Sequence, residues 1–197
     1  MKYAEESERL MRESVEIMWC PVEGSKIADF HKGKNIFVTG ATGFVGKLLV
    51  EKLLRACPNI NTIYILIRPK KGEDEDSRLK KLYTDQQILP NFQRKISVIK
   101  GDISLPDLAV FPEDKAKILE QVNVIFNIAA VVRFDEKITT ATKINVRGAR
   151  DLLKIAGQCK HLESFVHVGT AYSNCNRKEI DEIFYKLPIT ADELIEM

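Results

Sequence analysis

Three glycines that follow an apolar stretch constrain this chain more than any other feature. Residues 34–46 read KNIFVTGATGFVG, in which the apolar run at 35–39 leads to Gly40, Gly43 and Gly46. The run predicts a buried strand, and the residues after Gly43 predict a helix. Such a corner presents backbone N–H groups at a helix N-terminus, and glycines let the backbone approach a pyrophosphate. The motif therefore predicts a phosphate-binding loop in an α/β domain.

The spacing G-x-x-G-x-x-G gives each glycine a separate task. We expect Gly40 to make the turn, Gly43 to admit the pyrophosphate and Gly46 to let the helix pack on the sheet. A tight structural turn is the alternative, but it would not need three glycines. The predicted dinucleotide contacts at this corner are Thr39, Gly40, Ala41, Thr42, Gly43, Phe44, Val45 and Gly46.

Strands and helices alternate along the rest of the chain. The predicted strands are residues 35–39, 62–67, 95–100, 122–128 and 164–168. The predicted helices are residues 114–121, residues 138–159 and residues 43–57, the last with Val45, Leu48, Leu49 and Leu53 on its apolar face. Strands that are apolar on both faces and separated by helices indicate a doubly wound parallel sheet. We expect a Rossmann-type α/β domain over residues 34–197.

Two charged segments flank the glycine corner and the second strand. Residues 1–33 are expected to form an extension, with a short amphipathic helix at 4–19 and then a linker through Pro21, Gly24 and Gly33. Residues 70–83 are expected to start as a charged loop and become helical.

Composition excludes several classes of protein. Thirty basic and twenty-eight acidic side chains give a net charge of +2, too small for a nucleic-acid protein. The four cysteines are far apart and share no metal-ligand spacing with the three histidines, so no metal site is expected. The longest apolar run, at 122–132, is too short to span a bilayer, and the acidic N-terminus does not resemble a secretory signal. These features favour a soluble intracellular protein.

The end of the second strand indicates which dinucleotide is bound. An NAD site usually has a carboxylate there for the ribose 2′-hydroxyl, whereas this chain has Arg68, followed by Lys70 and Lys71. A guanidinium can bind a 2′-phosphate bidentately, and Arg78 could reach the same pocket. We therefore predict NADP(H) in preference to NAD(H), with a solvated basic turn as the alternative.

The ends of the third and fourth strands supply further candidates. Asp102 and Ile103 lie where a loop could cover the adenine, although Asp102 could equally be a turn or capping residue. After the fourth strand, the small residues Ala129 and Ala130 would let backbone lie against the cofactor. Asn145 is expected to bond backbone near the fourth strand.

The fifth strand ends in HVGTAY, where a reacting group is expected. Thr170 offers a hydroxyl that could bond a carbonyl oxygen during hydride transfer. His167 is interpreted as a satisfied core residue rather than a base. Tyr172 is followed four residues later by Asn176, not by lysine.

Together these motifs resemble the amino-terminal part of eukaryotic fatty acyl-CoA reductases, most closely the arthropod forms, in the extended short-chain dehydrogenase superfamily. The resemblance covers residues 27–183. The segments that carry it are TGATGFVGKLLVEKLL, IYILIRPKKG, the Arg78-Leu79 pair, GDIS, VNVIFNIAAVVRFDE, INVRGARDLL and FVHVGTAYSNC.

The resemblance implies a function and a set of roles. The family reduces long-chain acyl-CoA to primary alcohol with two NADPH, through a bound aldehyde. Gly40 to Gly43 and Gly46 would cradle the pyrophosphate, and Arg68 and Arg78 would hold the 2′-phosphate. Asp102 and Ile103 would contact adenine, Ala129 to Val131 would line the nicotinamide side, and Thr170 would be the catalytic hydroxyl. The implied strand order is 3-2-1-4-5.

The chain departs from the family pattern at two points. Gly169 replaces the usual serine before Thr170, and none of the five tyrosines has a lysine four residues later. The superfamily's Tyr-x-x-x-Lys pair would lie beyond Met197, together with the acyl pocket and the membrane attachment. We therefore expect a truncated form or gene fragment that is inactive alone. Membrane contact is expected only through the missing part, at the cytosolic face of peroxisomes or the endoplasmic reticulum.

Two other functions remain open at this point. The chain could act on a nucleotide sugar as an epimerase or dehydratase of the same superfamily. It could also be a non-catalytic NADP-binding module, because the missing Tyr-x-x-x-Lys pair fits that function equally well.

Overall fold

The computed structural model describes residues 24–69 and 93–197. In this part of the chain, five strands form one parallel sheet in the order β3-β2-β1-β4-β5, which confirms the expected order. The strands are Asn35–Thr39 (β1), Thr62–Ile67 (β2), Ile96–Lys100 (β3), Val124–Asn127 (β4) and Ser164–His167 (β5). β4 is shorter than expected because Val122 still caps the preceding helix and its N–H donates to Ile118.

Helices flank the sheet on both sides. The α-helices are Lys26–His31 (α1), Phe44–Ala56 (α2), Pro112–Gln121 (α3), Ile138–Ala141 (α4), Ala149–Ala156 (α5) and Ala191–Glu196 (α6). α3 begins two residues before the expected start, at Pro112, because the fixed φ of proline suits a first helical turn. Among the described helices, none has the length and apolar character needed to cross a membrane.

The predicted long helix at 138–159 is not uniform. It consists of α4, a π-helical segment at Thr142–Gly148, and α5, which ends at Ala156 with Gly157 as its C-cap. π-Helical turns are uncommon and often occur at functional sites. This segment is called the π-helical segment below.

Each face of the sheet has its own core. Ile36 and Val38 of β1 pack on one side with Val50 of α2, whereas Phe37 packs on the other with Ile118 and Leu152. Consecutive β1 residues are thus buried on opposite faces. This two-sided burial is the reason for the continuous apolar runs in the strands.

The buried face of α2 differs from the predicted one. The structure buries Gly46, Val50, Leu53 and Leu54, whereas Val45 and Leu48 are exposed. Gly46 sets this rotation because it packs directly on the glycine turn. Val45 instead faces the cavity described below.

The expected linker before β1 contains a helix. Ser25 caps α1 by accepting a hydrogen bond from Ala28 N at 3.3 Å, and His31 at its end is buried. Lys34 then pairs with Glu163 before β5. Ala28 of α1 packs against the core on the α2 side of the sheet. The helix expected at 4–19 and the segment 70–83 lie outside the described residues.

The chain reverses direction across the sheet between β1 and β4. From β1 it proceeds outward to β2 and β3, and then returns to place β4 on the other side of β1. In an open parallel sheet this reversal leaves a crevice at the carboxyl ends of the two central strands. The glycine turn after β1 lies at this crevice.

Candidate cofactor-binding site

Gly40 makes the turn after β1 in a conformation that requires glycine. Its φ is +74°, and an added Cβ would lie 2.6 Å from Ala129 N. The two central strands therefore end in direct backbone contact, which any larger residue at position 40 would disrupt.

Gly43 and Gly46 complete the cradle. Gly43 N donates to the Gly40 carbonyl at 3.0 Å, and an added Cβ on Gly46 would lie 2.1 Å from that same oxygen. Gly43 caps α2 without any side-chain hydrogen bond. The first N–H groups of α2 thus face the crevice without a capping side chain, an arrangement suited to an anion.

Thr39 and Ala41 support the cradle from behind. Both are fully buried, although each was predicted to contact the dinucleotide. The Thr39 hydroxyl donates to Asn127 Oδ1 at 2.7 Å and accepts from Ala129 N at 3.3 Å. It fixes the end of β4 relative to β1, and its hydrogen-bonding capacity is used within the protein.

A cavity of about 660 Å³ opens in front of the glycine turn. This volume is within the range of ligand pockets. The predicted residues that line it are Gly40, Thr42, Gly43, Phe44, Val45, Gly46, Arg68, Asp102, Ile103, Ala129 and Ala130. The lining residues that were not predicted are Leu66, Gly101, Ile128, Val132, Ile144, Val168 and Gly169. Most of these unpredicted residues sit at or next to strand ends, a position that could have identified them.

One end of the cavity is bounded by charged residues. Arg68 lies at the end of β2 with a 69% exposed side chain, and its Nε is 4.0 Å from Asp102 Oδ2. Asp102 Oδ1 accepts hydrogen bonds from Ser104 N at 2.9 Å and Ser104 Oγ at 2.7 Å. Asp102 is thus both a turn residue and a cavity residue. Lys70, Lys71 and Arg78 lie outside the described residues.

The segment after β4 forms the opposite wall. Asn145, in the π-helical segment, bonds both polar groups of Val131: Val131 N donates to Oδ1 at 2.8 Å, and Nδ2 donates to the Val131 carbonyl at 3.2 Å. The expected bond from Asn145 to backbone near β4 is therefore present. Val132 and Ile144 line the cavity, whereas Asn145 and the predicted Val131 do not. Asn145 shapes this wall from outside it.

The end of β5 closes the site. Val168 and Gly169 line the cavity, and Thr170 follows directly with an exposed side chain. Thr170 Oγ1 accepts a hydrogen bond from Tyr172 N at 3.2 Å. The predicted core position of His167 is wrong: the residue is exposed because β5 lies at the edge of the sheet formed by the described residues, although its Nδ1 is 3.1 Å from Asn127 Nδ2.

Comparison with known proteins identifies the family. Residues 38–197 match an NAD-binding family described as "Male sterility protein". The chain belongs to the male sterility protein family. Its site binds a nicotinamide dinucleotide, and the uncapped α2 N-terminus and the glycine turn fit the pyrophosphate of such a ligand. In the described part of this male sterility family member, no group of three or more histidine, cysteine or acidic residues is placed to hold a metal ion.

Relatives of this male sterility family member include reductases. It is 44% identical over 176 residues to fatty acyl-CoA reductase 1 of Rattus norvegicus, covering 86% of this chain and 34% of that protein. It is 44% identical over 178 residues to human fatty acyl-CoA reductase 2, covering 87% and 35%. The chain thus spans about a third of the length of these relatives. The likeness to arthropod forms stays a prediction.

A solved reductase domain shares the fold. The terminal R domain from the myxalamid PKS-NRPS biosynthetic pathway superimposes with a TM-score of 0.60 at 27% identity, covering 76% of this chain and 36% of that one. The male sterility family member therefore has the Rossmann-type architecture expected from its sequence.

Proposed function

We propose that this chain binds NADPH and forms the cofactor-binding part of a reductase that converts long-chain fatty acyl-CoA into primary alcohol through an aldehyde. The observation that carries the proposal is one cavity bounded by the glycine turn, Arg68 and the end of β5. The phosphate cradle, a cation and the segment before the Thr170 hydroxyl thus border the same cavity. The identity to fatty acyl-CoA reductases supports the substrate class.

The preference for NADPH rests on the charges at the Arg68 end. A guanidinium can form two parallel hydrogen bonds with a phosphate. Asp102 would repel that phosphate, but its carboxylate lies beside Arg68 and accepts two hydrogen bonds from Ser104. The negative charge of Asp102 is therefore offset within the protein, and Arg68 marks the 2′-phosphate position.

Binding constants for the two cofactors test this preference. We expect the 197-residue chain to bind NADPH more tightly than NADH, and Arg68→Gln to weaken NADPH about tenfold with little effect on NADH, since one charge-assisted contact is lost. Arg133→Gln is the control, because Arg133 is exposed and pairs with Asp135 rather than lining the cavity. Equal affinity of the wild-type chain for both cofactors would contradict the assignment.

The proposed chemistry uses Thr170. NADPH, when bound, supplies the hydride for the carbonyl carbon. Because Thr170 Oγ1 accepts its hydrogen bond from Tyr172 N, its own proton is available to donate to the carbonyl oxygen as negative charge develops there. Ile128, Val132 and Val168 give this end of the cavity an apolar lining. Coenzyme A can leave as a thiolate, since thiol pKa values are about 8.5, and a hydride from a second NADPH would then reduce the aldehyde to the alcohol.

Activity measurements test the reaction. This sequence contains no Tyr-x-x-x-Lys proton donor, so we expect the 197-residue chain to show negligible acyl-CoA-dependent NADPH oxidation. Turnover by this chain alone would contradict that expectation. In a longer natural form that carries this sequence, Thr170→Val should lower kcat by about a hundredfold, the usual cost of a lost oxyanion donor. Thr139→Val, an exposed threonine in α4, is the matched control.

Sequencing of the transcript separates the reductase from a binding module. A Tyr-x-x-x-Lys motif downstream of Met197 supports an enzyme. A genuine stop codon there supports a non-catalytic NADP-binding module.

A further inference from the structure

Arg147 reaches from the π-helical segment to the loop after β3. Its Nη2 donates a hydrogen bond to the Ser104 carbonyl. The next residue, Gly148, touches the same loop so closely that an added Cβ would lie 2.5 Å from Ile103 Cγ1. Two successive residues of the π-helical segment therefore hold two successive residues of the loop.

The contact continues from Ser104 to the charged end of the cavity. Both polar groups of Ser104 that donate hydrogen bonds, N and Oγ, bond Asp102 Oδ1, and Asp102 Oδ2 lies 4.0 Å from Arg68 Nε. Arg147 is thus linked through Ser104 and Asp102 to Arg68. Ile103, Asp102 and Arg68 line the cavity, whereas Arg147 does not.

Packing alone does not explain Arg147 at this position. Its Nε is buried and has no hydrogen-bond partner within residues 24–69 and 93–197. A buried donor without a partner costs free energy, and an apolar side chain would avoid that cost. What the guanidinium adds is a directed hydrogen bond to the loop.

We propose that Arg147 is a positioning residue for the adenosine half of the cofactor, acting through the Ser104 carbonyl to fix the Asp102 carboxylate at the edge of the cavity. The inference rests on the proposed function only in taking the ligand to be NADPH. If the loop loosened, the Asp102 carboxylate could turn toward the 2′-phosphate, where like charges repel. Loss of the Arg147 contact should therefore weaken ligands that carry this phosphate most.

The experiment separates the two halves of the cofactor. NMR titrations of the 197-residue chain measure the affinities for adenosine 2′,5′-bisphosphate, adenosine 5′-monophosphate and reduced nicotinamide mononucleotide. We expect Arg147→Met to weaken the bisphosphate about tenfold, the monophosphate less and the nicotinamide fragment not at all. Arg147→Lys should recover most of the lost affinity, because an ammonium can still donate to the Ser104 carbonyl.

Lys143→Met is the matched control, because Lys143 is exposed on the same π-helical segment. Unchanged bisphosphate affinity in Arg147→Met would overturn the inference, as would an equal loss for the nicotinamide fragment. A wild-type chain that does not distinguish the two adenosine ligands would contradict the NADPH assignment. In that case the role of Arg147 would still be tested by the monophosphate. Arg147→Met should weaken binding of adenosine 5′-monophosphate and leave binding of the nicotinamide fragment unchanged, and an equal effect on both would contradict the role.

A second variant covers the case in which Arg147→Met does not fold. Ser104→Ala removes the Oγ donor to Asp102 and leaves the Ser104 carbonyl bond to Arg147 in place. It should reproduce the selective loss of bisphosphate affinity. A Ser104→Ala chain with wild-type affinity for the bisphosphate would contradict the linkage.

Discussion

The α-carbon of Gly46 lies in the first turn of α2 against the carbonyl of Gly40, with no space between them for a methyl group. Gly157, at the end of α5, has the opposite surroundings, because an added Cβ there would lie 3.6 Å from its nearest neighbour. Position 46 therefore requires glycine because the backbone of the turn lies so close to it, whereas position 157 has room for alanine.

We expect Gly46→Ala to abolish measurable dinucleotide binding and to lower the free energy of unfolding by about 1–3 kcal/mol, because the glycine turn must move away from α2. Gly157→Ala should leave binding unchanged and stability within about 1 kcal/mol of the wild type. Titration with NADPH and urea unfolding measure both effects. Normal binding by Gly46→Ala would show that the cradle is not formed as described.

At the scale of elements, two helical segments were not predicted from the sequence: the π-helical segment and α1. The π-helical segment connects the loop after β3 with the segment after β4, through Arg147 and Asn145. Its wide turn has no compositional signature, so the same apolar spacing predicted a regular helix at 138–159. α1 is only six residues long, too short for a periodic pattern, although Ser25 is a typical N-cap.

α1 should make stability depend on pH. Burial, and secondarily the charge of Lys34, lower the pKa of His31 in the folded chain. The folded state therefore keeps the imidazole neutral while the unfolded chain binds a proton near its ordinary pKa of about 6.5. Stability is then complete above that pH and decreases below it, by at most about 1.4 kcal/mol per pH unit until the folded-state pKa is reached.

Urea unfolding at pH 7.5 and pH 5.5 tests this expectation. His31→Gln should lose less stability than the wild type between the two pH values, whereas His161→Gln, at an exposed position, should behave as the wild type. An identical pH dependence in His31→Gln would rule out the role of His31.

At the scale of the whole molecule, the sheet was predictable because its strands are buried on both faces and therefore appear as apolar runs. The predictions were wrong at positions where the local sequence pattern indicates one environment and the tertiary contacts impose another. Val45 and Leu48 look like a core face, yet Gly46 fixes the rotation of α2. Thr39 looks like a ligand contact, yet its hydroxyl is used to hold Asn127.

The pairing of the two central strands also has a consequence for synthesis of the chain. Thr39 and Asn127 are 88 residues apart, so β1 lacks its second neighbour until β4 has been made. At ribosomal rates of about 5–20 residues per second, this interval lasts roughly 4–18 s. Because the backbone of Gly40 packs against that of Ala129, the phosphate cradle cannot form before β4 and Ala129 have been synthesised. During this time the nascent chain exposes an unpaired apolar strand edge, the kind of surface that chaperones bind.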